Sequence, residues 1–161
     1  MHILNRLKEF LEQNHTPYET FTHGLAYTAQ EVAALQHISG DELAKVVMLV
    51  ADDNLMMAVI PGNRKLDLDL CLGSLAVANL RLATEDEFAA RFPECEIGAM
   101  PPFGNLFDLP VVVDPAVEKD EYIYFNAGNH AQTVHLKYQD FKEMVKPRIA
   151  RLTGEGSQKA A

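Results

Sequence analysis

Three short segments hold the residues whose types and spacing could do chemistry. They are Lys45 at the head of an apolar run, the loop Gly98-Ala99-Met100-Pro101-Pro102-Phe103-Gly104, and Phe125-Asn126-Ala127-Gly128-Asn129-His130. Each offers backbone of unusual freedom or rigidity with few polar side chains. Together they point to a pocket that holds a small ligand by backbone groups and one lysine.

Each segment has a plain structural reading beside the functional one. Lys45 is the only charge between Glu42 and Asp52. Its stem can pack while its ammonium reaches solvent, or its cation can enter a pocket and meet a phosphate, carbonyl or hydroxyl. In Gly98–Gly104, two prolines fix φ and remove two N–H donors, and the glycines permit unusual φ/ψ. That is either a tight surface turn or a rigid loop turning its remaining backbone groups toward a ligand. Met100 and Phe103 can line a small pocket or cover the core. Asn126-Ala127-Gly128 is either a hairpin turn or a place where a ligand approaches the backbone closely. Asn126 and His130 could then hydrogen-bond it.

Other chemistry lacks its residues. The six histidines, His2, His15, His23, His37, His130 and His135, show no i, i+4 pair, and the chain has no CxxC, so no metal site is expected. His130 and His135 have opposite parity on an expected strand and should face opposite sides. No serine lies in GxSxG, and no GxGxxG or P-loop occurs. Serine-type, zinc-type and dinucleotide enzymes are disfavoured. Cys71 sits in a Leu-rich stretch and reads as core packing.

The elements that must position these residues fit one domain. The 161 residues, 48% of them hydrophobic, suffice for a single core. The apolar runs 46–51 and 56–60 are too short to span a bilayer. Two unpaired cysteines and no signal-peptide pattern indicate a reduced, cytoplasmic protein. A net charge of -9 argues against broad electrostatic binding to DNA or RNA. Contact with the end of a nucleic acid, touching few phosphates, is still allowed.

Periodicity predicts a helix over Ile3–Gln13 and a strand at Tyr18–Phe21. A capping box of Thr28 with Glu31 opens a second helix, and Gly40 ends that unit. Strands at Glu42–Ala51 and Leu55–Ile60 form a hairpin around Asp52-Asp53-Asn54. Asp67 caps a short helix through Leu72 that Gly73 stops. Thr84 and Glu87 cap another, ending before Pro93. Strands follow at Pro110–Val113, Glu121–Phe125 and Thr133–Lys137, then a helix over Tyr138–Ile149 with Pro147 near its end. The chain reads as one domain over residues 1–150 and a flexible tail over 151–161. The fold class is α+β, a mixed, mostly antiparallel, barrel-like sheet surrounded by helices.

The order of Lys45, the G-x-x-x-P loop Gly98–Pro102 and Phe125–His130 resembles the YbaK/prolyl-tRNA synthetase editing family. The likeness runs over Ile3–Met144. It implies a free-standing deacylase that hydrolyses the ester of a mischarged tRNA carrying Ala, Ser, Thr or Cys. It implies no cofactor and no metal. By resemblance, Lys45 and His130 are catalytic: Lys45 anchors the terminal adenosine or its phosphate. Gly98, Ala99, Met100, Pro101, Pro102, Phe103 and Gly104 hold the aminoacyl group, and Asn126, Ala127 and Gly128 complete the pocket. The partner is the 3′ end of an aminoacyl-tRNA, with a synthetase or elongation factor to present it. No membrane or DNA partner is implied. Two alternatives stay open: a non-catalytic module binding tRNA 3′ ends or a small metabolite, and a hydrolase of another small acyl ester.

Overall fold

The computed structural model describes residues 4–22 and 42–154. The expected helix from Thr28 and the stop at Gly40 lie outside the described residues.

Leu4, Leu7 and Leu11 recur at helical spacing, and all three are buried by α1 (Asn5–Gln13). No side chain caps its start. Instead the Leu4 N–H donates to the Ala127 carbonyl at 2.9 Å, which ties the helix to one of the candidate segments. After β1 (Glu19–Thr22), the antiparallel hairpin β2 (Ala44–Ala51) and β3 (Asn54–Pro61) turns through Asp52 and Asp53. Their φ values of 46° and 68° are those of a turn with both central residues left-handed, whose twist suits a two-residue hairpin.

Asp67 caps α2 (Leu68–Leu75) by accepting the Leu70 N–H. This helix passes through Gly73, where a stop was expected, and ends at left-handed Ala76. Burial of Leu75 beside Cys71 outweighs the modest helix penalty of one glycine, about 1 kcal/mol. Next come β4 (Leu80–Leu82) and α3 (Glu85–Phe88), the latter with the expected Thr84–Glu87 capping box. Two 3₁₀ turns, β5 (Val111–Val113), α4 (Pro115–Glu118), β6 (Tyr122–Asn126), β7 (Gln132–Lys137) and α5 (Tyr138–Val145) complete the main order.

The expectation of one helix to Ile149 is corrected. Lys146 adopts φ 52° and caps α5, because Pro147 pushes the residue before it out of the helical region. Arg148–Ile149 then form β8, parallel to β5. Ordered packing also continues beyond residue 151, where the tail was expected. Leu152 is fully buried, and buried Asp114 accepts the Leu152 and Thr153 N–H groups and the Thr153 hydroxyl.

The strands make two sheets, β1-β7-β6 and β4-β2-β3-β5-β8. All pairings are antiparallel except β3–β5 and β5–β8. Alternate residues of β2, β3 and β5 are buried on opposite faces of the larger sheet. Met48, Met57, Val59 and Val113 join the main core with Ile123, Phe125, Val134 and Leu136 of the smaller sheet. Leu49, Ala58, Ile60 and Val112 pack with Cys71, Leu75 and Leu152. Burial on both faces explains why these strands read as continuous apolar runs. The mixed, mostly antiparallel sheet and flanking helices are as expected. Among the described residues the two sheets meet through one parallel bridge, Leu43–Tyr124, rather than as a closed barrel.

Candidate active site

The loop and the turn are held together by four hydrogen bonds. Glu96 N–H donates to the Gly128 carbonyl at 2.8 Å, and Gly128 N–H donates to the Ala99 carbonyl at 2.9 Å. His130 N–H donates to Glu96 Oε1 at 2.7 Å, and His130 Nε2 lies 2.8 Å from the Ile97 carbonyl. A carbonyl only accepts, so Nε2 carries the proton in this arrangement. His130 is 5% exposed and lies under the loop. Through Nε2 it fixes loop geometry and is not available as a base at that nitrogen.

Two glycines are required here for different reasons. Gly98 has φ +88°, and a Cβ there would stand 3.4 Å from His130 Cε1. Gly104 lacks room: a Cβ would come within 2.5 Å of Val111 Cγ2 and 2.7 Å of the Leu109 carbonyl oxygen. Pro101, Pro102 and Met100 are buried. Phe103 is fully buried, with Phe10, Phe125 and Phe141 rings around it at 6.1, 5.4 and 5.4 Å. Phe103 is thus the core anchor of the loop rather than a pocket wall. Among the described residues, the Gly98 and Met100 N–H groups donate to no protein acceptor. Such free N–H groups on a rigid loop can serve an anionic oxygen.

Lys45 enters from another direction. The Leu43–Tyr124 bridge sets those two residues side by side. Two residues further along each strand, Lys45 and Asn126 therefore follow on one face. Among the described residues, the buried side-chain oxygen of Asn126 has no hydrogen-bond partner, an arrangement that is costly unless a donor arrives. Its main chain leads directly into Ala127 and Gly128, which are bonded to α1 and the loop. Asn126 thus joins the lysine's face to the loop, although no recorded hydrogen bond joins Lys45 itself to the loop.

The Lys45 ammonium donates to the Arg64 carbonyl at 3.2 Å. Partial burial pushes its pKa below the ordinary lysine value. The Arg64 guanidinium is only partly buried and reaches the Thr153 hydroxyl at 3.4 Å. Sequence reasoning passed over Arg64, though the basic pair Arg64-Lys65 after Pro61-Gly62-Asn63 is conspicuous in an acidic chain. Glu96 was passed over too, and its pattern carries no signal.

Neither thiol is suited to attack. Burial pushes Cys71 and Cys95 up to about 11, so neither is thiolate at neutral pH. Among the described residues, no group of three His, Cys, Asp or Glu side chains could hold a metal ion. No described helix is long and apolar enough to cross a membrane.

Residues 23–144 match the aminoacyl-tRNA editing domain family, and the chain belongs to that family. It is 28% identical over 127 residues to a proline–tRNA ligase of Shouchella clausii (strain KSM-K16), covering 73% of this chain and 22% of the ligase. It is 25% identical over 149 residues to the multifunctional Ser/Thr-tRNA deacylase ProXp-y of Escherichia coli (strain K12), covering 89% of each. The fold is shared with a solved hypothetical protein at TM-score 0.83 and 20% identity, covering 92% of this chain and 99% of that one. It is also shared with a candidate trans-editing enzyme for prolyl tRNA synthetase, at TM-score 0.78 and 20% identity over 93% and 96% of the two chains.

Proposed function

We propose that this editing domain is a deacylase acting in trans, hydrolysing the ester between a small, wrongly attached amino acid and the terminal ribose of a tRNA. The observation that carries the proposal is the Gly98–Gly104 loop, fastened to the 126–130 turn, whose Gly98 and Met100 N–H groups donate to no acceptor among the described residues. The chain spans 89% of the deacylase it resembles and 22% of the ligase.

An aminoacyl ester is already activated. Water adds to its carbonyl carbon, the bond to the ribose oxygen breaks, and that oxygen takes a proton. A rigid pair of N–H donors for the developing oxyanion and a fixed substrate pose can suffice. Lys45, whose ammonium now donates to the Arg64 carbonyl, would meet the terminal phosphate or adenosine. Asn126 would accept from a ribose hydroxyl or an amino group. His130 is a positioning residue that keeps the loop in place. Selection would come mainly from excluding larger side chains, which fits alanine, serine, threonine or cysteine as the residue removed. The same reading places the protein in the cytoplasm, with a synthetase or elongation factor presenting the tRNA.

The test is hydrolysis of Ala-, Ser-, Thr- and Cys-tRNAs beside simple aminoacyl esters without tRNA. Selective hydrolysis of one or more mischarged tRNAs is expected. Equal turnover of simple esters would instead indicate a general small-ester hydrolase, and no turnover at high protein concentration would overturn the proposal.

A further inference from the structure

The outer face of the β1-β7-β6 sheet carries rings where a solvent-facing sheet would ordinarily carry charge. Tyr122 and Tyr124 stand two apart on β6 and so share a face. His135, in register with Tyr124, stacks on both: 4.7 Å from Tyr122 at 25°, and 4.3 Å from Tyr124 at 26°. Phe21 of β1 closes against Tyr124 at 6.0 Å. All four side chains are partly exposed. The row continues along β6 to Asn126 and, across the bridge, to Lys45. Its other end opens on a cleft of about 450 Å³ whose walls include Pro17, Tyr18, Tyr122, His135, Lys137 and Asp140.

We propose that this ring stack and its cleft form a stacking site for an unpaired nucleobase of the tRNA acceptor end, upstream of the residue that carries the ester. Three observations favour a nucleobase. Flat rings with an open cleft beside Tyr122 suit a base of any sequence, since every base has a π-face. Lys137 and Asp140 at the rim supply a cation for phosphate and an acceptor for a base amino group. The -9 net charge denies the chain affinity from broad phosphate neutralisation, so contacts indifferent to phosphate charge carry most of the hold on the strand. Tyr122 and Asn126 lie four residues apart, about 13 Å along the strand, a span that a few unstacked nucleotides bridge. A strand laid on this face therefore delivers its terminus to Asn126, Lys45 and the loop. The inference rests on the proposed function, because it takes tRNA as the ligand.

The experiment uses the full chain and an uncharged tRNA with 2-aminopurine at one position of its unpaired 3′ stretch. Stacking should quench the fluorophore on binding. Tyr122→Leu and His135→Leu, each checked for an unchanged melting temperature, should bind about 5- to 100-fold more weakly and lose the quench. Tyr122→Phe, which restores the ring, should restore both. Salt dependence should be shallow. Equal affinity and quench in Tyr122→Leu and wild type, or a steep salt slope with no effect of the ring variants, would overturn the proposal. Hydrolysis is read separately: quench without turnover retains the stacking site and rejects the deacylase, whereas turnover without quench does the reverse.

Discussion

Gly98→Ala probes the junction between the loop and the turn, and the structure sets its cost. Gly98 sits at φ +88°, a region that an L-residue occupies at about 1–2 kcal/mol. The added Cβ would touch His130 Cε1 at 3.4 Å, tight but tolerable with a small shift. If the backbone escapes to negative φ instead, the Gly128–Ala99 and His130–Ile97 hydrogen bonds are strained or lost, each at about 0.5–1.5 kcal/mol. Both routes lead to a loss of about 1–3 kcal/mol. Gly73→Ala is the internal control. Gly73 lies within α2 with nothing inside 4 Å of the added Cβ, so the same change should gain about 0.5–1 kcal/mol. Urea unfolding of both variants should separate them by about 1.5–4 kcal/mol, the sum of those two effects. Deacylation by Gly98→Ala should fall at least about tenfold, because the loop N–H groups no longer meet the oxyanion in place. Equal stabilities for the two variants, or full activity in Gly98→Ala, would refute the reasoning.

Four further outcomes follow from single sites. Asp114 gathers the Leu152 and Thr153 N–H groups, the Thr153 hydroxyl and the Ala116 N–H at 2% exposure. Asp114→Ala should cost about 2–4 kcal/mol by leaving buried donors unmet, with faster hydrogen exchange at Leu152 and Thr153. Tyr138 is buried, its phenol pushed up to about 12 by burial and then by the charge of Glu118, and its hydroxyl has no partner among the described residues. Tyr138→Phe should therefore leave stability unchanged or raise it by up to about 1 kcal/mol in urea unfolding. Burial lowers the Lys45 pKa, so between that value and the ordinary 10.5 the unfolded chain binds more protons, and stability should rise with pH across this window. Lys45→Met should be more stable than wild type at pH 7, and its advantage should shrink as pH climbs toward 10.5 in parallel unfolding curves. Phe103→Ala empties a ring-lined core site under the loop and should cost about 3–5 kcal/mol in the same assay.

Much of the scaffold was legible because its signals are local. Asp52-Asp53 announced a hairpin, Thr84 with Glu87 announced a capped helix, and alternating burial explained the apolar runs of β2 and β3. The errors arose where tertiary contacts outweighed local punctuation. Gly73 did not stop α2, since Leu75 gains burial two residues later. The helix after Tyr138 stopped at Val145 because Pro147 constrains Lys146, and Arg148–Ile149 found a parallel partner in β5 that no nearby residue foretells. In the site, main-chain bonds and His130 join the stretch from Glu96 through the Gly98–Gly104 loop to the 126–130 turn. The partner that His130 Nε2 donates to, the Ile97 carbonyl, lies 33 residues away and leaves no local sign in sequence. Phe103 likewise reads as a pocket residue in sequence and as a core anchor in space. The Tyr122–His135–Tyr124 stack was invisible in sequence, since it depends on the register of β6 against β7.

The most direct test is the initial rate of deacylation of Ala-, Ser-, Thr- and Cys-tRNAs by wild type and Lys45→Ala side by side. Selective hydrolysis of a small-residue tRNA by the wild type, collapsing in a folded Lys45→Ala variant, is the predicted result. Hydrolysis undiminished in Lys45→Ala, or absent from wild type across the panel, would contradict the account.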